Sequence, residues 1–587
     1  MSAAPAQPLD VEVRRSVVIT DANVLRDTAA TSESDRIDLS IGRTLGAIIA
    51  SRSTRGNPLV DTPAERIALM TSLVRSFRTR EQRHPMSDLT LPVAARPGEE
   101  ALDPIQLLDE KSPNGLRLVG AFNRLDLAPS DWSNCGEHRL VYAKGDPVSP
   151  IDRLLVIFEA RVENPDPTAG AAGCRPIADF WDGLRGKTGR ELTRALEQFY
   201  FNGDTNSDDQ PDLVYATDEN GDGEEDRRGV IHARHLGLGL GQVRGNLFVT
   251  AGDPIANPWQ LREWRVAASV GGAPVFEAMP VGSNPIPALY NAGQPPEGEP
   301  SPAAAFEALR AAFGDTFVET TVSRLTAFDR AALVPGGQQV TMDRLLNDMG
   351  AGFERRFDAF ASVSQTLQDD PTEIARTGTL PGRLQARLAE FVLTERCGIT
   401  PEHLLNRAGA MSCGGCHQFS SNRPIAQGIN WPTTRPTGAP PGAPQFDFVH
   451  IDEAGQLSPA LEERFLPQRR RHLEELLGVP APAAMVARAT AGAGADTRTM
   501  SSESSNAQRQ SMTQSLRRLE PAETRATSGE RSTAQRQSMT QSLRRLDSAE
   551  TRARALQELQ TLEDRIGETR TQEARQPGAF MPYRRVH

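Results

Sequence analysis

The period of hydrophobic and polar positions changes several times along the chain, and each change marks a section. Val17 to Thr20 is a β-branched run, and apolar positions then recur at helical spacing over Leu39 to Ala50 and Pro63 to Arg78. A strand followed by two helices is expected in residues 1–95. From Leu116 to Arg265 the texture turns to short apolar runs between turn residues, with Leu140 to Tyr142, Leu154 to Phe158, Leu247 to Thr250 and, at its end, Trp264 to Val270. Antiparallel β structure is therefore expected across residues 96–270, with a helix inserted around Arg190 to Tyr200. Residues 271–300 are rich in Pro, Gly and Asn and read as loop. They open a connector, 271–370, whose helical patterns are Ala303 to Phe313 and Met342 to Phe360. Leu380 to Leu393 and Pro401 to Ala408 predict helices within a section running over 371–478.

After Gly478 the composition shifts to Ala, Gly, Ser, Thr, Gln and Arg, and residues 479–587 read as a low-complexity tail. Asn506 to Leu519 recurs almost unchanged as Thr533 to Leu546, a repeat of 27 residues. Met512, Leu516 and Leu519, and their counterparts Met539, Leu543 and Leu546, form a narrow stripe on one helix face. The tail reads as a duplication, largely disordered or helical, whose stripes suit protein–protein contact.

Composition agrees with this division. The 587 residues are 38% hydrophobic and 5% aromatic and include 43 prolines, which places a good part of the chain in loops. A net charge of −11 argues against a nucleic-acid binder. Beyond Ser501 there are 15 arginines against 11 acidic residues, so a weakly basic tail follows an acidic body. The longest apolar stretches, such as Leu45 to Ala50, fall far short of the roughly 20 residues that cross a bilayer, and no membrane span is expected. Met1 to Thr20 shows no apolar core behind a positive segment, the pattern of a secretory signal.

Five cysteines carry the candidate chemistry: Cys135, Cys174, Cys397, Cys413 and Cys416. The last two stand in Met411-Ser-Cys-Gly-Gly-Cys-His417, the C-x-x-C-H signature of covalent c-type haem attachment. Two thiols one helical turn apart suit the two vinyl groups of one porphyrin, and the adjacent His417 reaches the iron. His450, flanked by apolar residues, is the candidate distal ligand. Two other uses compete for these cysteines. Cys397, His403, Cys413 and Cys416 form a donor set compatible with tetrahedral zinc, at a spacing that matches no standard finger. The C-x-x-C alone would make a redox disulfide, without the βαβ context of thioredoxins. Cys135 and Cys174 lie 39 positions apart in the β section; a bond between them fits an oxidising compartment, which is also where c-type haem is attached. A periplasmic or extracellular location is expected on both counts.

Residues 203–229 form an Asp-rich loop. Oxygen ligands alternate as Asp204, Asn206, Asp208 and Asp212, and again as Asp218, Asn220, Asp222 and Asp226. Positions 1, 3, 5 and 9 of a calcium loop are thus filled twice, while Tyr215 and Gly229 replace the bidentate Glu of position 12. Calcium is the expected ligand, bound weakly.

Phe122-Asn-Arg-Leu-Asp-Leu-Ala-Pro129, Asn134-Cys-Gly-Glu-His-Arg-Leu-Val-Tyr142, Gly241-Gln-Val-Arg-Gly-Asn-Leu-Phe248, Trp259-Gln-Leu-Arg-Glu-Trp264 and Ser412-Cys-Gly-Gly-Cys-His417 resemble segments of a group of large uncharacterised exported proteins and lipoproteins of myxobacteria and related GC-rich proteobacteria. The likeness spans residues 15–478 and excludes the repeat tail. It implies export, and it matches Cys135 and Cys174 to an earlier cysteine pair of that group.

Arg124, Asp126, Glu137, Arg139, Arg244, Arg262 and Glu263 are expected to pair as structural charges on neighbouring strands. His232 and His235 read as exposed histidines. With no G-x-S-x-G, H-E-x-x-H or P-loop, hydrolase and nucleotide-binding readings lack support. The expected fold is α+β: a mixed, mainly antiparallel β section, then a helical cytochrome c-like section, then the tail. The expected function is that of an exported c-type haem protein engaged in electron transfer or haem redox chemistry, with a redox partner protein. The other class is a calcium-stabilised surface or interaction protein in which C-x-x-C-H is a disulfide or zinc site.

Overall fold

Seven strands pair into one antiparallel sheet in the order β1 (Val18–Ile19), β2 (Leu116–Arg124), β3 (Asn134–Lys144), β4 (Leu154–Glu163), β5 (Gln242–Leu247), β6 (Gln260–Ala268) and β7 (Pro274–Met279). Spatial order follows chain order throughout, so each strand lies beside its sequence neighbour. The computed structural model describes residues 9–54, 57–78, 81–83, 90–92, 95–129, 131–145, 153–215, 226–237, 240–248, 260–269, 272–279, 285–286, 289, 303–335, 340–341, 345–346, 357, 380–411, 420, 422–431 and 451–478. The tail with its repeats and most of Met342 to Phe360 lie outside them.

Both sheet faces are covered. On one face Leu118, Leu140, Tyr142, Val156, Phe158, Val243 and Trp264 share a core with the helices α1 (Ile41–Ala50) and α2 (Pro63–Ser76). These are the two helices expected from the N-terminal periodicity. Ser40 and Thr62 cap them by accepting the amide hydrogens of Arg43 and Glu65, and Pro63 opens α2 where no amide hydrogen is needed. Buried hydrogen bonds fix the helices to the sheet: the Tyr142 hydroxyl donates to the Leu39 carbonyl at 2.9 Å and contacts Thr44 Oγ1 at 2.6 Å. Trp264 Nε1 donates to Ser76 Oγ at 2.7 Å. Two further helices, α3 (Arg175–Gly183) and α4 (Gly189–Glu197), complete this layer. A π-helical turn, Gln198–Asn202, extends α4 to Gly203, whose φ of 78° ends it in the left-handed region.

The opposite face is divided. Val119, Phe122, Val141 and Leu155 pack against a second core built from α5 (Ala303–Thr316), α6 (Leu380–Glu390), α7 (Leu393–Cys397), α8 (Pro401–Gly409) and α9 (Leu466–Leu476). Toward the other end of the strands the same face carries charged residues. The arrangement is therefore α+β, with one sheet between two helical layers. No helix among the described residues is long and apolar enough to cross a membrane.

Two local readings need correction. Residues 274–279 form β7, although the surrounding 271–300 reads as loop; Phe276 fills a core position while Pro274 sits at the strand's first residue, where a missing amide hydrogen is tolerated. The pattern Leu380 to Leu393 is not one helix. It breaks at Val392, whose φ is 51°.

Candidate functional site

The C-x-x-C-H segment leaves the end of α8. This helix has a buried face because Leu404, Leu405 and Ala408 recur at helical spacing, and Thr400 caps it by accepting the amide hydrogen of His403. The His403 ring returns the contact: its Nδ1 accepts the Thr400 amide hydrogen at 3.2 Å, which commits that nitrogen to the cap. Burial holds the His403 pKa below its ordinary value, with the nearby Arg407 charge adding to the effect.

Arg407 is the most constrained group in this region. Fully buried, it forms a two-pronged ion pair with Asp329, at 2.5 Å from Nη1 and 3.1 Å from Nη2. It also donates to the Leu325 carbonyl at 2.7 Å and, through Nε, to the Ile425 carbonyl at 2.6 Å. Asn406 donates to the Pro424 carbonyl at 2.8 Å. Ile425 belongs to β8 (Pro424–Ala426), which pairs with β9 (Ile429–Asn430). The last turn of α8, before the cysteines, is thus tied to a hairpin after them. Ala410, Ile425 and Trp431 are buried in the second core, and Met411 packs against it.

Cys413, Cys416, His417 and His450 themselves lie outside the described residues. Cys397 is described: it is a free, partly buried thiol whose pKa is raised, first by burial and then by the Asp329 carboxylate. Among the described residues no three His, Cys, Asp or Glu side chains converge as a metal site.

The divided face of the sheet explains most of the charged residues. Arg124, Glu137 and Arg161 stand in register on β2, β3 and β4, and Arg139, Glu159 and Gln242 on β3, β4 and β5. Opposite charges therefore sit directly across from each other. Arg139 reaches Glu137 at 2.7 Å and Glu159 at 3.2 Å, and Arg161 reaches Glu137 at 3.4 Å. Gln242 donates to Glu159 at 2.6 Å, and Arg244 pairs with Glu263 at 3.3 Å. At the sheet edge Arg124 grips Asp126 at 2.8 Å. Burial alone would push the Asp126 carboxyl up, but the Arg124 charge and hydrogen bonds outweigh it and hold the pKa well below the usual carboxylate range. Arg262 lies on the other face, where Nε donates to Gln260 at 2.7 Å. Its pKa falls to about 10 through burial and then through the charge of Arg96. Pairing of this kind suits structural charges better than a substrate site, since each carboxylate already faces a cation. Glu159, Arg161 and Gln242 belong to the network although their sequence pattern does not single them out.

Cys135 and Cys174 are joined in a disulfide, with Cα atoms 5.4 Å apart, linking β3 to the start of α3. Beside Cys135, β3 carries a bulge at Gly136, φ 74°, where a Cβ atom would strike the Arg124 carbonyl.

In the Asp-rich loop Asp204 is buried, and its carboxylate accepts amide hydrogens from Asn206, Ser207 and Asp209 at 2.9, 2.6 and 2.9 Å. Asn206 and Asp208 each accept an amide hydrogen two residues on, from Asp208 and Gln210. Asp212 accepts from the amide and hydroxyl of Thr205 at 2.7 and 2.8 Å. These side chains fold the loop upon itself. Asp226 pairs with Tyr215 in a two-strand ribbon, and Asp218, Asn220 and Asp222 lie outside the described residues.

The expectation of exposed histidines fails at His235, which is fully buried because Arg234–Leu236 turns inward beneath the sheet. His232, with its ring centre 5.6 Å from that of His235, is only partly exposed and accepts the Arg234 amide hydrogen. Arg407 and Asp329 escape sequence analysis as a pair because they stand 78 positions apart; the available signal is a single arginine among the apolar positions of α8.

No family model matches the chain, and neither a curated protein nor a solved structure is detectably similar to it.

Proposed function

We propose that the chain is an exported c-type haem protein, in which Cys413 and Cys416 would hold the haem covalently and His417, with His450 as the second candidate, would supply nitrogen to its iron. The observation that carries this reading is the motif Cys413-Gly-Gly-Cys-His417: two thiols and an imidazole at the spacing that covalent attachment requires. The donor set is chemically complete for that group. Its flanks support the reading too, since Ala410 and Trp431 belong to an apolar core of the kind that excludes water from a porphyrin. The Cys135–Cys174 disulfide supports residence in an oxidising compartment.

When bound, the haem supplies one-electron redox chemistry. The chain's own contribution is to hold and shield. The Arg407–Asp329 pair and the Asn406–Pro424 hydrogen bond brace the residues before and after the motif. Electron transfer to a partner protein is the function that needs no further residues; no catalytic group is assigned. Pyridine haemochrome spectroscopy of the protein matured in a periplasm tests the reading.

The second reading, a calcium-stabilised interaction protein with Cys413 and Cys416 as a disulfide or zinc site, draws support from the same oxidising context. Metal analysis for zinc, together with calcium titration, distinguishes it. We assign the tail repeats to protein–protein contact.

A further inference from the structure

A cleft of about 450 Å³ lies between α4 and the Asp-rich loop, a volume that suits a small organic ligand. One wall is α4 with its approach: Lys187, Arg190, Glu191, Arg194 and Gln198 recur at helical spacing and all line the cleft. On its other side the same helical segment sends Leu192, Leu196 and Phe199 into the first core, so this wall is fixed to the body. The facing wall is the loop, through Ser207 and Asp209, and the buried residues Ile37 and Ala195 supply apolar surface. The loop wall is pinned as well. The buried Asp204 carboxylate accepts the amide hydrogens of Ser207 and Asp209 at 2.6 and 2.9 Å, and these two residues take left-handed φ of 67° and 63°.

Three cations and two carboxylates line the cleft, and some of them neutralise one another. Lys187 Nζ donates to Glu191 at 3.0 Å. Arg190 reaches the buried Asp27 carboxylate at 3.1 Å and also donates to the Asp35 carbonyl. Among the described residues neither the Arg194 guanidinium nor the Asp209 carboxylate has a hydrogen-bond or ion-pair partner, and the two line opposite walls of one cleft. Gln198 adds a donor: its carbonyl oxygen accepts from Asn202, which leaves its amide hydrogens free to face the cleft.

We infer that the cleft binds a free amino acid with an aliphatic side chain, independently of the cysteine motif. Its carboxylate would take the planar fork of Arg194 and the Gln198 amide, its ammonium group the Asp209 carboxylate, and its side chain the surface of Ile37 and Ala195. The charge pattern excludes simpler occupants. A divalent cation would face Arg194, and a phosphate would face Asp209, each at a like charge. A wholly apolar molecule would desolvate both groups and pair neither. A zwitterion satisfies the two walls together, and since both are already held in place, little ordering is needed on binding.

Calorimetric titration of the full-length protein with L-leucine tests this. Saturable binding at one site per chain is expected, and the two halves of the ligand should fail separately: isocaproate, which lacks the ammonium group, and isoamylamine, which lacks the carboxylate, should each bind at least about tenfold more weakly. Arg194→Gln and Asp209→Asn should each weaken leucine binding by about the same factor. Both residues are exposed, and Asn tolerates the left-handed conformation of Asp209, so thermal unfolding of the variants should match that of the parent. Absence of leucine binding at millimolar concentration would overturn the inference. Binding of either analogue as tight as that of leucine, tighter binding of inorganic phosphate, or full affinity in the two variants would overturn it equally.

Discussion

Arg407 and Asp329 form a buried two-pronged ion pair at the end of the helix that leads into the cysteine motif. Both side chains are almost wholly withdrawn from water, at 0% and 2% exposure. Removing one partner would strand the other charge. Arg407→Met should therefore cost about 3–5 kcal/mol of stability, whereas joint replacement by apolar residues of similar volume should recover most of that loss. Chemical denaturation of the two variants measures the difference, and equal losses would show that the penalty does not come from the stranded carboxylate.

Acid should weaken the fold in a window set by histidines. Burial lowers His138 to about 3 and His235 to about 4, against an ordinary value near 6.5. His232 and His403 are lowered as well. The unfolded chain then takes up protons that the folded chain refuses, so stability is full above pH 6.5 and falls as the pH drops toward 4. Each refused proton is worth up to about 1.4 kcal/mol per pH unit. Asp126, held low by Arg124, adds its loss only below the ordinary carboxylate range. Urea unfolding at stepped pH should show the decline between 6.5 and 4, and a flat profile there would count against neutral buried imidazoles.

Val392 adopts a left-handed conformation, φ 51°, between α6 and α7, and the residue is 40% exposed. A β-branched residue is strained there, and little packing would be lost on truncation. Val392→Gly should raise stability by about 1 kcal/mol, the relief of strain outweighing the added freedom of the unfolded chain. Thermal unfolding checks the sign.

The Cys135–Cys174 disulfide closes a separation of 39 residues. By the chain-entropy model its removal in the Cys135→Ala, Cys174→Ala double variant should cost about 4 kcal/mol. Calorimetry of the oxidised protein and the double variant provides the comparison.

These contrasts show which parts of the fold were legible from residue pattern. The N-terminal strand and its two helices followed from Val17 to Thr20 and the apolar spacing of Leu39 to Ala50 and Pro63 to Arg78, because what those elements bury is mostly apolar, with Thr44 and Ser76 the polar exceptions. The sheet was harder to delimit. β3 begins Asn134-Cys-Gly-Glu-His-Arg139 and β5 reads Gln-Val-Arg-Gly-Asn-Leu, so buried polar residues hide the alternation that marks a strand. Such residues are tolerated inside because Glu137, Arg139 and Glu159 satisfy one another across strands, a relation between distant segments that no local window contains. The break at Val392 had no signal either, since Val is the wrong residue for the conformation it takes. The cysteine motif was legible for the opposite reason: its chemistry lies in five consecutive residues.

Covalent haem at Cys413 and Cys416 is measured by a pyridine haemochrome assay. The full chain, directed to a periplasm that contains a c-type maturation system, should carry one haem that survives denaturing extraction, and the Cys413→Ala, Cys416→Ala variant should carry none. Wild-type protein that folds with its Cys135–Cys174 bond intact and yet yields no covalent haem would rule out haem attachment at these cysteines.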